Sequence, residues 1–243
     1  MSVGQLLVVA LAIFIAAFMQ VLSGFGFALL SMPIMTMAVP VEQAVIVSTL
    51  LGALSTTWQS FHLRAAADFV LVRRLTTAAF LGMPLGLVVL NVVSDRSLRL
   101  TLGIAVLIAT MLLVSPVQLH RMGRGLDYGV GFVSGVLNTS LSTNGPPLVF
   151  GLQARRLEPD RFRATISMIF ALSNILGIAL FALDGKFTLT GVKAAAIAFP
   201  AWFVGQAIAW PIRRRVVGDR FRRLVLGMLF VAGATSVVYA IFR

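Results

Sequence analysis

Seven apolar runs, each within the roughly 17–25 residues of a membrane-spanning helix, follow one another along the chain. They cover residues 3–22, 45–61, 70–93, 98–114, 165–183, 192–212 and 224–242. The polar connections between them are short, and none has the composition of a flexible interdomain linker. We therefore predict an all-α polytopic membrane protein in which residues 1–243 form a single transmembrane domain.

Two further apolar segments are interrupted by small and polar residues. Segment 25–39 follows the glycine break at residues 23–26, and segment 128–152 is interrupted at 138–140 and again at 142–147. Non-helical backbone at membrane depth is tolerated only where it is buried in protein or lines a cavity. We therefore predict that both segments are broken or re-entrant helical hairpins, and the number of full spans is left between six and ten.

The chain also repeats itself. The pattern D-R-x-x-R-L-x-L-G occupies residues 95–103 and returns at residues 219–227, and the dipeptide Ser-Gly at 23–24 returns at 134–135. The matches keep the same order along the chain, which chance similarity between apolar helices does not explain. We predict two internal repeats, at about 3–115 and about 127–242, the common construction of secondary transporters.

Basic residues indicate how the two repeats are oriented, because lysine and arginine concentrate on the cytoplasmic side of a membrane protein. If each broken segment returns to its starting side, the loops at 62–74, 116–127, 155–163 and 213–223 share one side with 15 of the 20 basic residues. If each broken segment crosses once, the split is 12 to 8. The first distribution is the more asymmetric, so we predict inverted repeats.

Composition excludes several other classes of protein. The chain is 59% hydrophobic and 12% charged, against about 45–50% and about 25% in a typical soluble protein. Its net charge of +12 comes from arginine clusters between apolar runs, a topology signal rather than a nucleic-acid site. Cysteine is absent, and His62 and His120 both lie in polar connections. We expect no metal site, no cofactor and no enzymatic activity.

The broken segments are suited to binding an anion. The first turn of a helix has unpaired N–H groups and the positive end of the helix dipole, and hydroxyl and amide side chains add neutral donors. Small residues also serve close helix packing, and that alternative stays open for Gly24, Gly26 and Gly135. The candidate substrate-binding residues are Ser23, Gly24, Gly26, Asn138, Thr139, Ser140, Thr143, Asn144, Gly145, Pro146 and Asn174.

Two motifs carry a resemblance to a known family. They read Ser23-Gly24-Phe25-Gly26 … Pro33 and Gly131-Phe132-Val133-Ser134-Gly135 … Asn144-Gly145-Pro146-Pro147. At these motifs, and in size and duplication, the chain resembles the TauE/SafE family of sulfite and organosulfonate exporters. The resemblance implies a permease for sulfite, an organosulfonate or a related sulfur-containing anion. From the two broken segments we expect the substrate to bind near the bilayer midplane, between the two hairpins.

The residues alone support only transport of a small anion. An anion channel and a structural subunit of a membrane complex remain the alternatives. The expected partners are the anionic substrate and the lipid bilayer, without nucleic acid, and the oligomeric state is left open, a homo-oligomer included. The expected location is the bacterial plasma (inner) membrane. Coupling ion and direction of transport are not predicted.

Overall fold

The computed structural model describes residues 1–114, 123–155, 157–213 and 219–242, and the side chains of 113 and 219–225 are left out of the description. These residues form ten α-helices, a short 3-10 helix at Arg64–Ala66 and no strand. The helices are α1 Val3–Ser23, α2 Phe27–Thr36, α3 Val41–Leu63, α4 Phe69–Val92, α5 Asp95–Val114, α6 Arg124–Leu141, α7 Gly145–Gln153, α8 Pro159–Leu183, α9 Leu189–Ile212 and α10 Asp219–Phe242. The predicted all-α polytopic class is confirmed.

Helix lengths separate spanning helices from half-helices. Among the described residues, α1, α4, α8 and α9 are long and apolar enough to cross a membrane. With 10 and 9 residues, α2 and α7 measure only about 15 Å at 1.5 Å per residue, half of a bilayer core of about 30 Å. His120 and parts of two predicted basic connections, at 115–122 and 214–218, lie outside the described residues.

Both broken segments fold back on themselves. The Gln5 side chain at the start of α1 donates from Nε2 to the carbonyl of Ala38, just after α2, at 2.8 Å. Arg155, just after α7, pairs with Asp127 in the first turn of α6. Each hairpin therefore ends on the face where it began. The long helices between the hairpins place those two faces on opposite sides of the molecule.

One face collects most of the described arginines, and we call it the basic face. Ion pairs hold its helix ends together: Arg161 with Asp68 at 2.7 Å and Arg74 with Asp127 at 3.6 Å. Its arginines are Arg64, Arg73, Arg74, Arg124, Arg155, Arg161, Arg163 and Arg213. On the opposite face, Lys186 pairs with Glu42 at 3.3 Å.

Asp68 fixes the start of α4 to the start of α8 on the basic face. Its Oδ1 accepts hydrogen bonds from the N–H groups of Val70 and Leu71, each at 3.1 Å, and its Oδ2 accepts one from Arg161 at 2.7 Å. Burial opposes ionisation of this carboxyl, but the bonds from Leu71, Arg161 and Val70 outweigh it and lower the pKa of Asp68 below its ordinary 3.8. Asp68 is therefore a charged cap at neutral pH.

The two halves of the chain have the same order of helices: one long helix, a break, a short helix and then three long helices. Between the halves, α1 packs on α9, α4 on α6, α3 on α8 and α5 on α10. If α1 corresponds to α6 and α4 to α9, the first two contacts are the same contact with the halves exchanged. A twofold relation predicts such an exchange, and the duplication over 3–115 and 127–242 itself stays a prediction.

Glycines bring α4 and α6 into backbone contact. A Cβ atom at Gly135 would collide with the carbonyl oxygen of Ala79, and one at Gly82 would collide with that of Phe132. Small residues of this kind allow helices to approach closely in lipid, where the hydrophobic effect does not drive helices together. For Gly135, the packing alternative is therefore the one that the geometry favours.

We predict that Gly135→Ala lowers the melting temperature of the detergent-purified protein. Forcing a methyl group into a filled interface costs about 1–3 kcal/mol, or more where backbone must move. Gly125→Ala on the same helix is the matched control, because no atom lies within 4 Å of the added methyl group. Circular dichroism on heating measures both variants. Equal melting temperatures would contradict the proposed close approach of α4 and α6.

Candidate anion-binding site

A small cavity lies where the two breaks meet, and we call it the central cavity. Its volume is about 30 Å³, room for roughly two water molecules at about 10–15 Å³ each. Its lining residues are Gln20, Gly26, Phe27, Ala28, Leu29, Ser48, Gly52, Thr56, Ser142, Thr143, Asn144, Gly145, Phe170 and Asn174. Every one of these described residues has a neutral side chain, so a ligand in the cavity would be held through dipoles and hydrogen bonds.

The first break presents the start of α2 to this cavity. Gly24 and Gly26 adopt left-handed backbone angles, with φ of 84° and 93°, a conformation that glycine reaches without the penalty of a Cβ atom. Helix α2 then begins at Phe27 without a side-chain cap. The N–H groups of its first turn therefore lack an intrahelical partner. Phe27, Ala28 and Leu29, which carry these groups, all line the cavity.

The second break contributes side chains more than backbone donors. Helix α7 begins at Gly145 and has prolines at its next two positions, which remove two of the first-turn N–H groups. Asn144, immediately before α7, is 7% exposed. Its Nδ2 group has no hydrogen-bond partner among the described residues. An unsatisfied buried donor is costly, so this amide is the strongest candidate for direct contact with an anion.

Hydroxyl groups connect the second break to α3. Ser142, which has φ of 54°, lies 3.2 Å from the hydroxyl of Ser48 and 3.2 Å from that of Thr49. Thr143 instead donates to the carbonyl of Leu141 at 2.8 Å. Hydrogen bonds with the hydroxyl groups of Ser48 and Thr49 on α3 therefore stabilise Ser142 in its left-handed conformation. This arrangement fixes the start of α7 relative to α3.

Amide side chains form a second connection across the cavity wall. Asn138 donates from Nδ2 to Oδ1 of Asn174 at 3.3 Å, and Asn174 donates from Nδ2 to the hydroxyl of Thr56 at 3.4 Å. The Oδ1 atom of Asn138 and the Oε1 atom of Gln20 are buried without a partner among the described residues. The chain therefore retains polar capacity that a bound ligand or water would satisfy.

The predicted site residues divide into two groups. Those in the cavity lining are Gly26, Thr143, Asn144, Gly145 and Asn174, and Asn138 reaches the lining through Asn174. The others are used elsewhere: Ser23 donates to the carbonyls of Met19 and Phe25, Thr139 donates to that of Met83, and Ser140 donates to that of Val136. Gly24 lines a separate cavity toward the basic face, and Pro146 lines an apolar groove beside α5.

Several lining residues were not in the predicted set. Gln20 lies within an apolar run, and its position three residues before Ser23 was the available signal, since a buried glutamine is costly in lipid. Phe27, Leu29 and Phe170 form the apolar part of the wall. Periodicity alone does not distinguish an aromatic ring at a cavity from one in a packed core, so no sequence signal identified them.

An all-helical membrane domain in which two broken helices open onto one shared cavity has the construction of a membrane transporter. The family model described as "Sulfite exporter TauE/SafE" matches residues 9–236 of the 243. The chain belongs to this family of membrane transporters, as its motifs indicated. No curated protein and no solved structure gives a significant match to it.

We predict that Thr139→Val acts on stability and not on anion binding. Its hydroxyl donates to the carbonyl of Met83 at 2.6 Å between α6 and α4, and the loss of such a bond costs about 0.5–1.5 kcal/mol. Thr139→Ser retains the donor and is the control. Thermal unfolding measures the first effect, and sulfite titration of the purified protein measures the second. Weaker sulfite binding by a Thr139→Val protein that unfolds normally would place Thr139 in the site after all.

Proposed function

We propose that this protein is a secondary transporter for sulfite or a similarly small sulfur oxyanion, bound in the central cavity between the first turns of α2 and α7. The observation that carries the proposal is that both helix starts, together with the unpartnered amide of Asn144, open onto this one neutral cavity. The positive ends of two helix dipoles favour an anion there.

The residue types also support an anion over a cation. The described lining contains amide and hydroxyl donors and no carboxylate, so a metal ion would find no negative partner. The lining equally lacks a guanidinium or ammonium group. Hydrogen bonds to a charged group contribute about 1.5–3 kcal/mol each, enough to hold an anion that must also leave again.

Cavity size supports an inorganic oxyanion over a bulky sulfonate. In this conformation the central cavity measures about 30 Å³, and an arylsulfonate would require Phe27 or Phe170 to move. Sulfite requires a much smaller displacement.

The proposal includes the bacterial inner membrane as location, with the basic face on the cytoplasmic side because basic loops are retained there.

Asn144→Asp is the sharpest test of the anion site. The substitution preserves shape and replaces the amide donor with a carboxylate, which is itself a good residue at a helix start. We expect the protein to fold normally and sulfite affinity to fall about ten- to a hundredfold, because one donor is lost and a like charge is added. Sulfite flux in proteoliposomes and thermal stabilisation by sulfite are the measurements. Unchanged flux in Asn144→Asp would remove the central cavity from the transport path.

Gly145→Ala tests the space available to the ligand. The new methyl group would lie 3.5 Å from the Leu29 side chain, which is ordinary contact. The empty protein therefore accommodates it, whereas a ligand against the α7 start does not. We expect sulfite flux to fall at least about fivefold, a loss of about 1 kcal/mol, with the melting temperature retained. Gly129→Ala, with no atom within 4 Å of the added methyl group, is the matched control.

The same liposomes distinguish the alternatives. A carrier shows saturable flux and counterflow of labelled sulfite, whereas an anion channel shows a conductance that follows the membrane potential without counterflow. A structural subunit shows neither, and Gly145→Ala would then behave like Gly129→Ala. Either of the last two results would overturn the proposal.

A further inference from the structure

We propose a second anion site, a loading site at the basic face, in a cavity of about 240 Å³ that lies directly outside the first break. We call it the vestibule, and the residues that define it are Gly24, Gln59, His62, Arg163, Trp210 and Arg213. Its ligand is a small oxyanion that enters from the aqueous phase. That this anion is the transported sulfite rests on the proposed function, whereas the presence of the site does not.

The charge of the vestibule favours an anion. Arg163 and Arg213 line it against a single carboxylate among its lining residues, that of Asp160. Arg213 donates to the carbonyl of Trp210 at 2.6 Å and stacks over the indole ring at 3.8 Å. Clefts of one sign with apolar walls concentrate ions of the opposite sign. The vestibule therefore supplies the positive charge that the central cavity lacks.

A buried donor points to the same ligand. Gln59 is 3% exposed, and its Oε1 atom accepts a hydrogen bond from Ser167 at 3.2 Å, which leaves the amide nitrogen as the free end. That Nε2 group has no hydrogen-bond partner among the described residues. A buried donor without a partner costs free energy, and an oxyanion in the vestibule would satisfy it.

Gly24 leaves room for Arg163 to lie over the first break. A Cβ atom at Gly24 would lie 2.7 Å from Cγ of Arg163, and the backbone there has φ of 84°. The arginine donates from Nη2 to the carbonyl of Leu22 at 3.3 Å, which uses one of the five N–H groups of a guanidinium. The glycine thus lets an arginine stem lie against the backbone of the break, beside the vestibule.

The vestibule and the central cavity are neighbours along two elements. On α3, Gln59 of the vestibule lies one helical turn from Thr56 of the central cavity, and in the first break Gly24 lies two residues from Gly26. Phe25 separates these glycines and packs edge-on against Phe162, with ring centroids 6.3 Å apart. Phe25 thus lies between the vestibule and the central cavity along the first break, and an anion held at Arg163 would be one helical turn of α3 from the central cavity.

Binding is tested with Trp210 as the reporter. In a background in which Trp58 and Trp202 are changed to phenylalanine, Trp210 is the one remaining tryptophan. Iodide quenches tryptophan on contact, and sulfite is added as the competitor. We expect saturable quenching that sulfite relieves, and we expect Arg163→Gln to weaken sulfite about tenfold, the loss of one charge-assisted hydrogen bond. Arg163→Lys should recover part of the affinity.

Control variants make the result specific. Arg73→Gln removes an exposed arginine on the same face outside the vestibule, and it should leave the titration unchanged. Gln59→Glu places a carboxylate beside the ligand and should abolish competition by sulfite. The proposal is overturned if iodide quenching of Trp210 is linear and collisional in the single-tryptophan background without further substitutions. It is also overturned if Arg163→Gln and Arg73→Gln give the same sulfite affinity.

A lipid phosphate is the other source of an oxyanion at this face, and bilayer composition separates the two. The titration is repeated in nanodiscs of phosphatidylcholine alone and with phosphatidylglycerol added. A site for a dissolved anion gives the same sulfite affinity in both. Competition by phosphatidylglycerol would assign the vestibule to a lipid headgroup and overturn the loading role.

Flux measurements separate this proposal from the function proposed above. We expect Arg163→Gln to raise the sulfite concentration for half-maximal flux from the basic face about tenfold while the maximal rate is retained. Asn144→Asp should instead lower flux and leave the Trp210 titration intact. Saturable quenching without sulfite flux in the unsubstituted protein would refute the proposal that sulfite is the transported ion, and it would leave the proposed vestibule site standing. Flux without titration would refute the vestibule alone.

Discussion

Every backbone polar group inside a bilayer must find its partner within the protein, and this constraint organises the whole molecule. Two helices are nevertheless interrupted, after Ser23 and after Leu141. Such interruptions persist only where protein surrounds them. Helices α3 and α8 supply much of that surrounding, through Ser48, Thr56 and Asn174 in the cavity wall, while glycines bring the backbones of α4 and α6 into contact. The cavity between the breaks follows from the way the breaks are buried.

Hydropathy predicted the helices well because lipid exposure selects apolar residues along most of each helix. Run 70–93 corresponds to Phe69–Val92, and run 192–212 to Leu189–Ile212. Run 45–61 is shorter than Val41–Leu63, because α3 also includes polar residues at its ends, such as Glu42, which pairs with Lys186. Hydropathy does not register a polar residue whose partner is distant in sequence. The prediction of inverted repeats came from counting arginines, a signal independent of hydropathy.

The candidate site was predicted only in part, for a reason of helix geometry. Asn138, Thr139 and Ser140 are consecutive on α6, and each step turns the side chain by about 100°. They cannot all face one cavity: Asn138 joins the amide chain to Asn174, while the two hydroxyls bond to backbone carbonyls. The composition of the segment pointed to a part of the chain that borders the central cavity. Choosing among neighbours requires knowing which face of α6 packs against α4, and that depends on contacts far away in sequence.

The two breaks are not chemically equivalent, and the difference bears on how an anion would move. The start of α2 offers backbone donors, whereas prolines remove most of those at α7 and leave the Asn144 side chain as the donor there. Backbone donors at a helix start move only if the whole half-helix moves, but an asparagine side chain reorients by rotation about its own bonds. An anion held by both halves would therefore be released more easily from the second break than from the first. The positive charge of Arg163 lies beside the first break, so the break that would hold an anion more rigidly is also the one that borders the vestibule.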